Sequence, residues 1–226
     1  MNQNDRPTKA DGFHSLVAYL SFICAGAVMV LLVVAISLNR SNPLAFRLAL
    51  SFYQYGALTA IAGTLIGFAT LILSVLRRTP KKLLISIGVL GICLPVVVAS
   101  LAMKSRAEKV PRIHDITTDT ENPPQFQSLV QIRQATAVNP VEYGGPEIAA
   151  LQKAAYPEVQ PFITSLSLAD SYLRASEAAS RMDWEIVSQD PNSGIIEATA
   201  TTAFFGFKDD IVIRLTEKEG QTRIDI

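Results

Sequence analysis

At 226 residues, with 20 Lys and Arg balanced by 20 Asp and Glu, the chain has no basic face of the kind that nucleic-acid binding requires, and that class is set aside. The hydrophobic fraction of 49% averages an apolar N-terminal half and a polar C-terminal half, which is room for a small membrane anchor and one ordinary domain. Cys24 and Cys93 are the only cysteines; both sit inside apolar runs and read as small buried hydrophobes, and the C-terminal half can hold neither a disulfide nor a thiolate metal site.

Residues 1–14 are polar, with Arg6 and Lys9 set against Asp5 and Asp11, and read as a disordered cytoplasmic tail. From Ser15 to Asn39 no residue is charged, a run that exceeds the roughly 20 residues a spanning helix needs. Its unbroken length favours an uncleaved signal anchor over a cleaved signal peptide. Asn39-Arg40-Ser41-Asn42-Pro43 forms a turn-rich connection. The second span, Leu48 to Leu76, starts with Phe52, Tyr53 and Tyr55, aromatics suited to a headgroup boundary. Within it Gly63 and Gly67 make a Gly-x-x-x-Gly pair, which lets helix backbones approach closely; the anchor's own helices, a partner helix and no special role all remain open.

Arg77-Arg78-Thr79-Pro80-Lys81-Lys82 follows, with four cations and no anion. Short cytoplasmic loops collect Lys and Arg, so this turn and the N-terminus are expected inside. The third span, Leu83 to Met103, contains Gly88, Gly91 and Pro95, the proline reading as a kink rather than a gate. No span holds Asp, Glu, Lys or Arg, so residues 15–103 read as a three-helix anchor or docking surface rather than an ion pathway. Residues 104–226 are then an extracytoplasmic domain. Lys104, Arg106, Lys109 and Arg112 oppose that orientation, but Glu108 and Asp115 dilute them, and long domains translocate largely regardless of charge.

In the polar half, Val110 to Asp119 reads as a short extended segment closed by Asn122-Pro123-Pro124. Gln125 to Tyr143 carries little periodicity and is expected to be loop. Gly144-Gly145-Pro146 opens a short helix with Pro146 at its first position, ending before Pro157. The strongest helix begins at Ser167, a hydroxyl cap with Asp170 three residues on; Leu168, Tyr172, Ala175, Ala179 and Met182 form its apolar face. Strands follow. Trp184 and Ile186 alternate with Glu185, and Asp190-Pro191-Asn192-Ser193-Gly194 makes a turn. Ile196, Ala198, Ala200 and Thr202 then share a face, and Ile211, Ile213 and Leu215 point inward with Val212 and Arg214 outward. Glu217-Lys218-Glu219-Gly220 turns the chain into a last strand with Ile224 and Ile226. The fold class is therefore a membrane protein of three transmembrane α-helices followed by a small α+β domain, a helix packed on an antiparallel β-meander.

Two stretches carry a family resemblance. Val110-Pro111-Arg112-Ile113-His114-Asp115-Ile116-Thr117-Thr118-Asp119 with Asn122-Pro123-Pro124 is the first. The second is Ile196-Glu197-Ala198-Thr199-Ala200 leading to Phe205-Gly206-Phe207-Lys208-Asp209-Asp210-Ile211-Val212-Ile213-Arg214. Together, in this order, they resemble the signatures of the family known as domain of unknown function 1499, over about Val110 to Ile226. The resemblance implies an envelope or thylakoid setting and no reaction. It also implies a further arginine- and serine-rich strand and a helix after Ile226, so the domain is expected either to be truncated there or to lack that element.

His114, Asp115 and Asp119 are the one constellation with the residue types for metal ligation or acid–base work. Adjacent strand residues point to opposite faces, however, so His114 and Asp115 do not converge on one atom. Lys208-Asp209-Asp210 pairs carboxylates beside a lysine, which a hairpin turn also favours. Phe204, Phe205 and Phe207 exceed what a turn needs and read as core or as a docking patch. No catalytic residue, cofactor or metal site is expected. Partner or ligand contacts are expected at Arg112, His114, Asp115, Asp119, Phe205, Phe207, Lys208 and Asp209, and helix packing at Gly63 and Gly67. The expected function is an anchored interaction or assembly module, its partners the lipid bilayer and another membrane or envelope protein, in a bacterial inner membrane with the domain periplasmic. A thylakoid membrane with the domain lumenal is the alternative setting. The alternative functions are a hydrolase using His114 with Asp119 or Asp209, and lipid or pigment binding between helix and sheet.

Overall fold

The computed structural model describes residues 9–136 and 139–226; most of the expected N-terminal tail lies outside them. The chain divides into two compact units, Met1–Lys109 and Val110–Ile226.

The first unit consists of α1 (Lys9–Ser41), a 3-10 turn (Pro43–Ala45), α2 (Phe46–Leu76) and α3 (Pro80–Ala107). All three helices are long and apolar enough to cross a membrane, and they fit an N-terminal anchor. The expected disordered tail does not extend to His14, because the helix already begins at Lys9. Asp11 suits the positive end of the helix dipole, and Lys82 donates to Ser15 Oγ at 2.9 Å. His14 is fully buried, its Nε2 3.1 Å from Ser74 Oγ. Arg77 donates to the Ala10 carbonyl and pairs with Asp11 at 3.4 Å. The start of α1 and the basic turn between α2 and α3 therefore lie at the same end of the bundle.

Small residues line the contacts of α2, which packs against both other helices. Gly56, Ala60, Gly63, Thr64 and Gly67 are buried. A Cβ on Gly63 would stand 2.8 Å from Cys93 Sγ, and one on Gly67 3.1 Å from Leu90 Cδ2, so both glycines pack the bundle's own helices. Large apolar side chains such as Leu58, Leu65, Ile72 and Leu84 are exposed instead, the arrangement that suits a lipid-facing surface. α3 continues through Pro95.

The second unit contains α4 (Leu129–Thr136), α5 (Gly145–Ala155), β1 (Phe162–Thr164), α6 (Leu168–Arg181), β2 (Glu185–Asp190), β3 (Ile195–Thr201), β4 (Lys208–Lys218) and β5 (Gln221–Asp225). The strands form one antiparallel sheet in the order β1-β5-β4-β3-β2. Ser167 caps α6, its Oγ accepting from the Asp170 amide at 3.1 Å. Tyr172, Ile196, Ile213 and Leu215 form the core between α6 and the sheet, flanked by Ala175, Trp184 and Ile224. Gly194 turns β2 into β3 at φ 68°, and a Cβ there would collide with the Leu215 carbonyl.

Three expectations are corrected and one strand is added. Met182 stays beside the apolar face of α6 but is exposed at its end rather than packed in the core, because the helix ends one residue earlier. The edge strand β1, too short to show alternation, was not legible in the sequence. The loop expected over Gln125 to Tyr143 contains α4, whose start is held by a residue far along the chain. Lastly, Val212 is buried and Arg214 nearly so, and Glu197 is wholly buried. These positions lie on the face of the sheet turned away from α6, and residues 117–136 cover it as a strap.

Candidate functional site

Register places Glu197 opposite Val212, Thr199 opposite Asp210, Arg214 opposite Asp225 and Thr216 opposite Arg223. One face of β3, β4 and β5 is therefore charged where the other is apolar. Each charge meets a group of the strap or a neighbour on the sheet. The Glu197 carboxylate accepts from the Gln127 amide and, at 2.9 Å, from the Leu129 amide. It thereby satisfies donors at the start of α4, where the helix dipole favours an anion. Arg133, near the end of α4, pairs with Asp210 at 3.4 Å and lies over the Phe126 ring at 5.1 Å. Asp210 in turn accepts from Thr199 Oγ1 at 2.7 Å.

The densest cluster joins Asp119 of the strap to Arg214, Arg223 and Asp225 of the sheet. Asp119 Oδ2 lies 3.1 Å from Arg214 and 2.8 Å from Arg223, and Asp225 Oδ2 lies 3.0 Å from each. Asp119 Oδ1 also accepts from the Glu121 and Asn122 amides. Burial by itself would raise the Asp119 carboxyl, but the Asn122 and Glu121 amides and the Arg223 and Arg214 guanidiniums outweigh it and hold it below its ordinary value. Arg223 moves upward, chiefly through its hydrogen bond to Asp225. The balance of two cations and two anions, all with partners, makes this a clasp.

Beside it, Thr117 is held like a strand residue. Gln152 of α5 accepts from its amide at 3.0 Å and donates to its carbonyl at 2.6 Å, and Thr117 Oγ1 donates to the Ile226 carbonyl at 2.8 Å. Asp115, half-buried, has its carboxyl raised by desolvation against the weaker pull of Arg133 and His114.

The residues expected to make contacts are dispersed. Arg112 and His114 are exposed, and no hydrogen bond or ion pair among the described residues joins His114 to Asp119 or Asp209. Asp119 is in the clasp, and Lys208 and Asp209 are exposed at the start of β4. Phe205 is half-buried and its ring stacks on Phe207 at 5.8 Å. Among the described residues no three His, Cys, Asp or Glu side chains form a group able to hold a metal ion. Sequence reasoning missed Glu197, Arg133, Arg223 and Asp225; charged residues alternating with apolar ones look like a solvent face unless the cover is known.

The α6 side carries an apolar groove of about 360 Å³ between the helix and the β1–β5 edge, lined by Phe162, Leu166, Ala175, Ala178, Met182 and Trp184. That volume lies within the range of ligand pockets, ~300–1,000 Å³. Ser171 also lines it; this residue is fully buried and its hydroxyl has no hydrogen-bond partner among the described residues. Arg174, exposed, stands at the rim.

Fold and site together define an α+β domain behind three apolar helices, its sheet clasped by charge on one face and grooved on the other. Residues 115–226 match the family described as "Protein of unknown function (DUF1499)", and the C-terminal domain belongs to that family. No curated protein and no solved structure matches the chain.

Proposed function

We propose that the protein is a membrane-anchored, non-catalytic interaction module that binds another membrane or envelope component through the groove between α6 and the sheet edge. The observation that carries this reading is the contrast in how side chains are used. Asp119, the one carboxylate of the expected acid–base constellation in a dense polar cluster, is consumed by internal ion pairs. The groove beside α6 is instead almost wholly apolar, with Phe162 and Met182 exposed beside it, whereas a larger concavity beside α5 is rimmed by Glu121, Glu142 and Lys153. A partner segment with an apolar stripe and an acidic residue for Arg174 fits that chemistry. A photo-crosslinking residue at Met182 in the full-length protein should give one defined adduct in native membranes, and Phe162→Glu should abolish it. Because both side chains are solvent-exposed, these changes leave the core intact; a domain that folds normally and gives no Met182 adduct overturns the proposal.

A second reading, an amphiphile with its tail in the groove, draws on the unpartnered Ser171 hydroxyl beside Arg174. Lipid retained in stoichiometric amount through mild-detergent purification, and lost in Phe162→Glu, would favour it over a protein partner.

For placement, we propose a bacterial inner membrane with the 77–82 turn and N-terminus cytoplasmic and the C-terminal domain periplasmic. The cations of that turn support this side assignment, and the bonds from Arg77 to Ala10 and Asp11 support a shared side for the turn and the start of α1. A thylakoid membrane with the domain lumenal obeys the same charge rule. A reporter fused after Ile226 that is active only in the cytoplasm overturns this orientation.

A further inference from the structure

The loop joining β3 to β4, residues 202–207, contains no charged residue and is closed by its own hydrogen bonds. The Thr202 amide donates to the Phe207 carbonyl at 2.9 Å, and the Gly206 amide to the Thr202 carbonyl at 3.0 Å. The Phe207 amide donates to Thr202 Oγ1 at 2.8 Å. Gly206 takes φ 71° to complete the turn, a conformation open to glycine without strain. This built loop nevertheless presents Phe204 at 78% and Phe207 at 43% exposure, with the half-buried Phe205 ring stacked behind Phe207.

Size decides what such a tip can bind. A stable protein interface buries about 800 Å² on each partner, whereas two phenylalanine side chains supply roughly 150–250 Å² each. That area is too small to recruit a free partner. It is enough for a chain that is already tethered, because tethering makes the second contact intramolecular, and three helices of this chain are long and apolar enough to supply such a tether.

We propose that the β3–β4 tip is a second membrane contact, inserting Phe204 and Phe207 into the bilayer interface with the Lys208 ammonium at the level of the lipid phosphates. Long cationic side chains reach the headgroups in this way while their stems lie along apolar surface. Asp209, also exposed, offsets the charge of Lys208. Insertion of the rings therefore drives the contact, and zwitterionic lipid suffices.

The test uses the full-length protein in nanodiscs of phosphatidylcholine, with and without bromine on the upper acyl chain. Trp184 is the only tryptophan, so Phe204→Trp in a Trp184→Phe background reports on the tip alone. Its emission should shift to the blue, lose intensity in brominated discs and lose access to iodide. Emission that stays red, unquenched by bromine and open to iodide overturns the proposal. Shielding from iodide without bromine quenching also overturns it, since the tip would then sit on protein. If Trp184→Phe prevents folding, the same readouts are taken as the difference between Phe204→Trp and the parent with Trp184 retained.

Discussion

Under α6, Ile196, Ile213, Leu215 and Ile224 meet Tyr172 and Ala175 in a contiguous apolar core. Under the strap, on alternate residues of the same strands, Glu197 meets backbone amides, Arg214 and Arg223 meet the Asp119 carboxylate, and Asp225 pairs with both arginines. The two covers are thus attached by different physics. Apolar packing is non-directional and tolerates a volume-conserving exchange at less than about 1.5 kcal/mol. A buried ion pair is directional, and loss of one partner leaves an uncompensated charge at about 3–5 kcal/mol. The apolar face also remains open at its edge, as a groove, whereas the charged face is closed by paired groups.

The largest expected effect tests that contrast directly. Arg214→Ala leaves the Asp119 and Asp225 carboxylates sharing the single guanidinium of Arg223, one buried negative charge in excess, and should destabilise the domain by about 3–5 kcal/mol, against about 0.5–1.5 kcal/mol for Ile213→Val on the opposite face. Urea unfolding of the detergent-solubilised protein, followed by Trp184 emission, measures both. Equal losses would erase the distinction between the faces.

Next comes Glu197→Ala, which leaves the buried Leu129 amide, and the more exposed Gln127 amide, without their acceptor, at about 1–3 kcal/mol. Hydrogen exchange should accelerate across α4 while α6 keeps its protection. Uniform loss of protection would mean that the strap and the sheet open as one unit.

Acid should separate the two faces in the same way. The folded Asp119 carboxyl lies below its ordinary value, so its stabilising contribution is complete above the unfolded value of about 3.9. It is lost as pH falls through the folded value. Below about pH 4 the exchange protection of the strap should therefore fall before that of α6; simultaneous loss contradicts the clasp.

The smallest effect has the opposite sign. Burial raises Asp115, so its ionised form is disfavoured in the folded state and stability declines as pH rises through that range. Asp115→Asn should raise the melting temperature at pH 7 slightly and remove that part of the pH dependence. A lower melting temperature would indicate that the attraction to Arg133 outweighs desolvation.

The α6 face was largely readable because its signal is local. Ser167 with Asp170 marks the helix start, and the alternation of Ile211, Ile213 and Leu215 marks the inward side of β4. The strap face is not legible by the same rule: alternation places Val212 and Arg214 on the outward side without revealing their cover, and Gln125 to Tyr143 has no period that marks α4. The donors at the start of α4 are satisfied by Glu197, 68 residues beyond Leu129, and no pattern local to α4 carries that information. Among the candidate residues, Asp119 was singled out for chemistry and proved to be a structural partner of two arginines, since its neighbours come from β4 and β5.

By itself the sequence determined three long apolar helices and an antiparallel sheet with one helix across it, because apolar periodicity, run length and turn residues are properties of neighbouring positions; the family of the second unit was legible separately, as a resemblance carried by two motifs. Tertiary structure alone decided which charges are buried and which phenylalanines are exposed. Burial depends on what covers a residue, and the covers of Glu197, Arg214 and Asp225 come from segments far away in the chain. The exposure of Phe204 is set likewise by the closure of a hairpin loop, which no alternation of apolar and polar residues encodes.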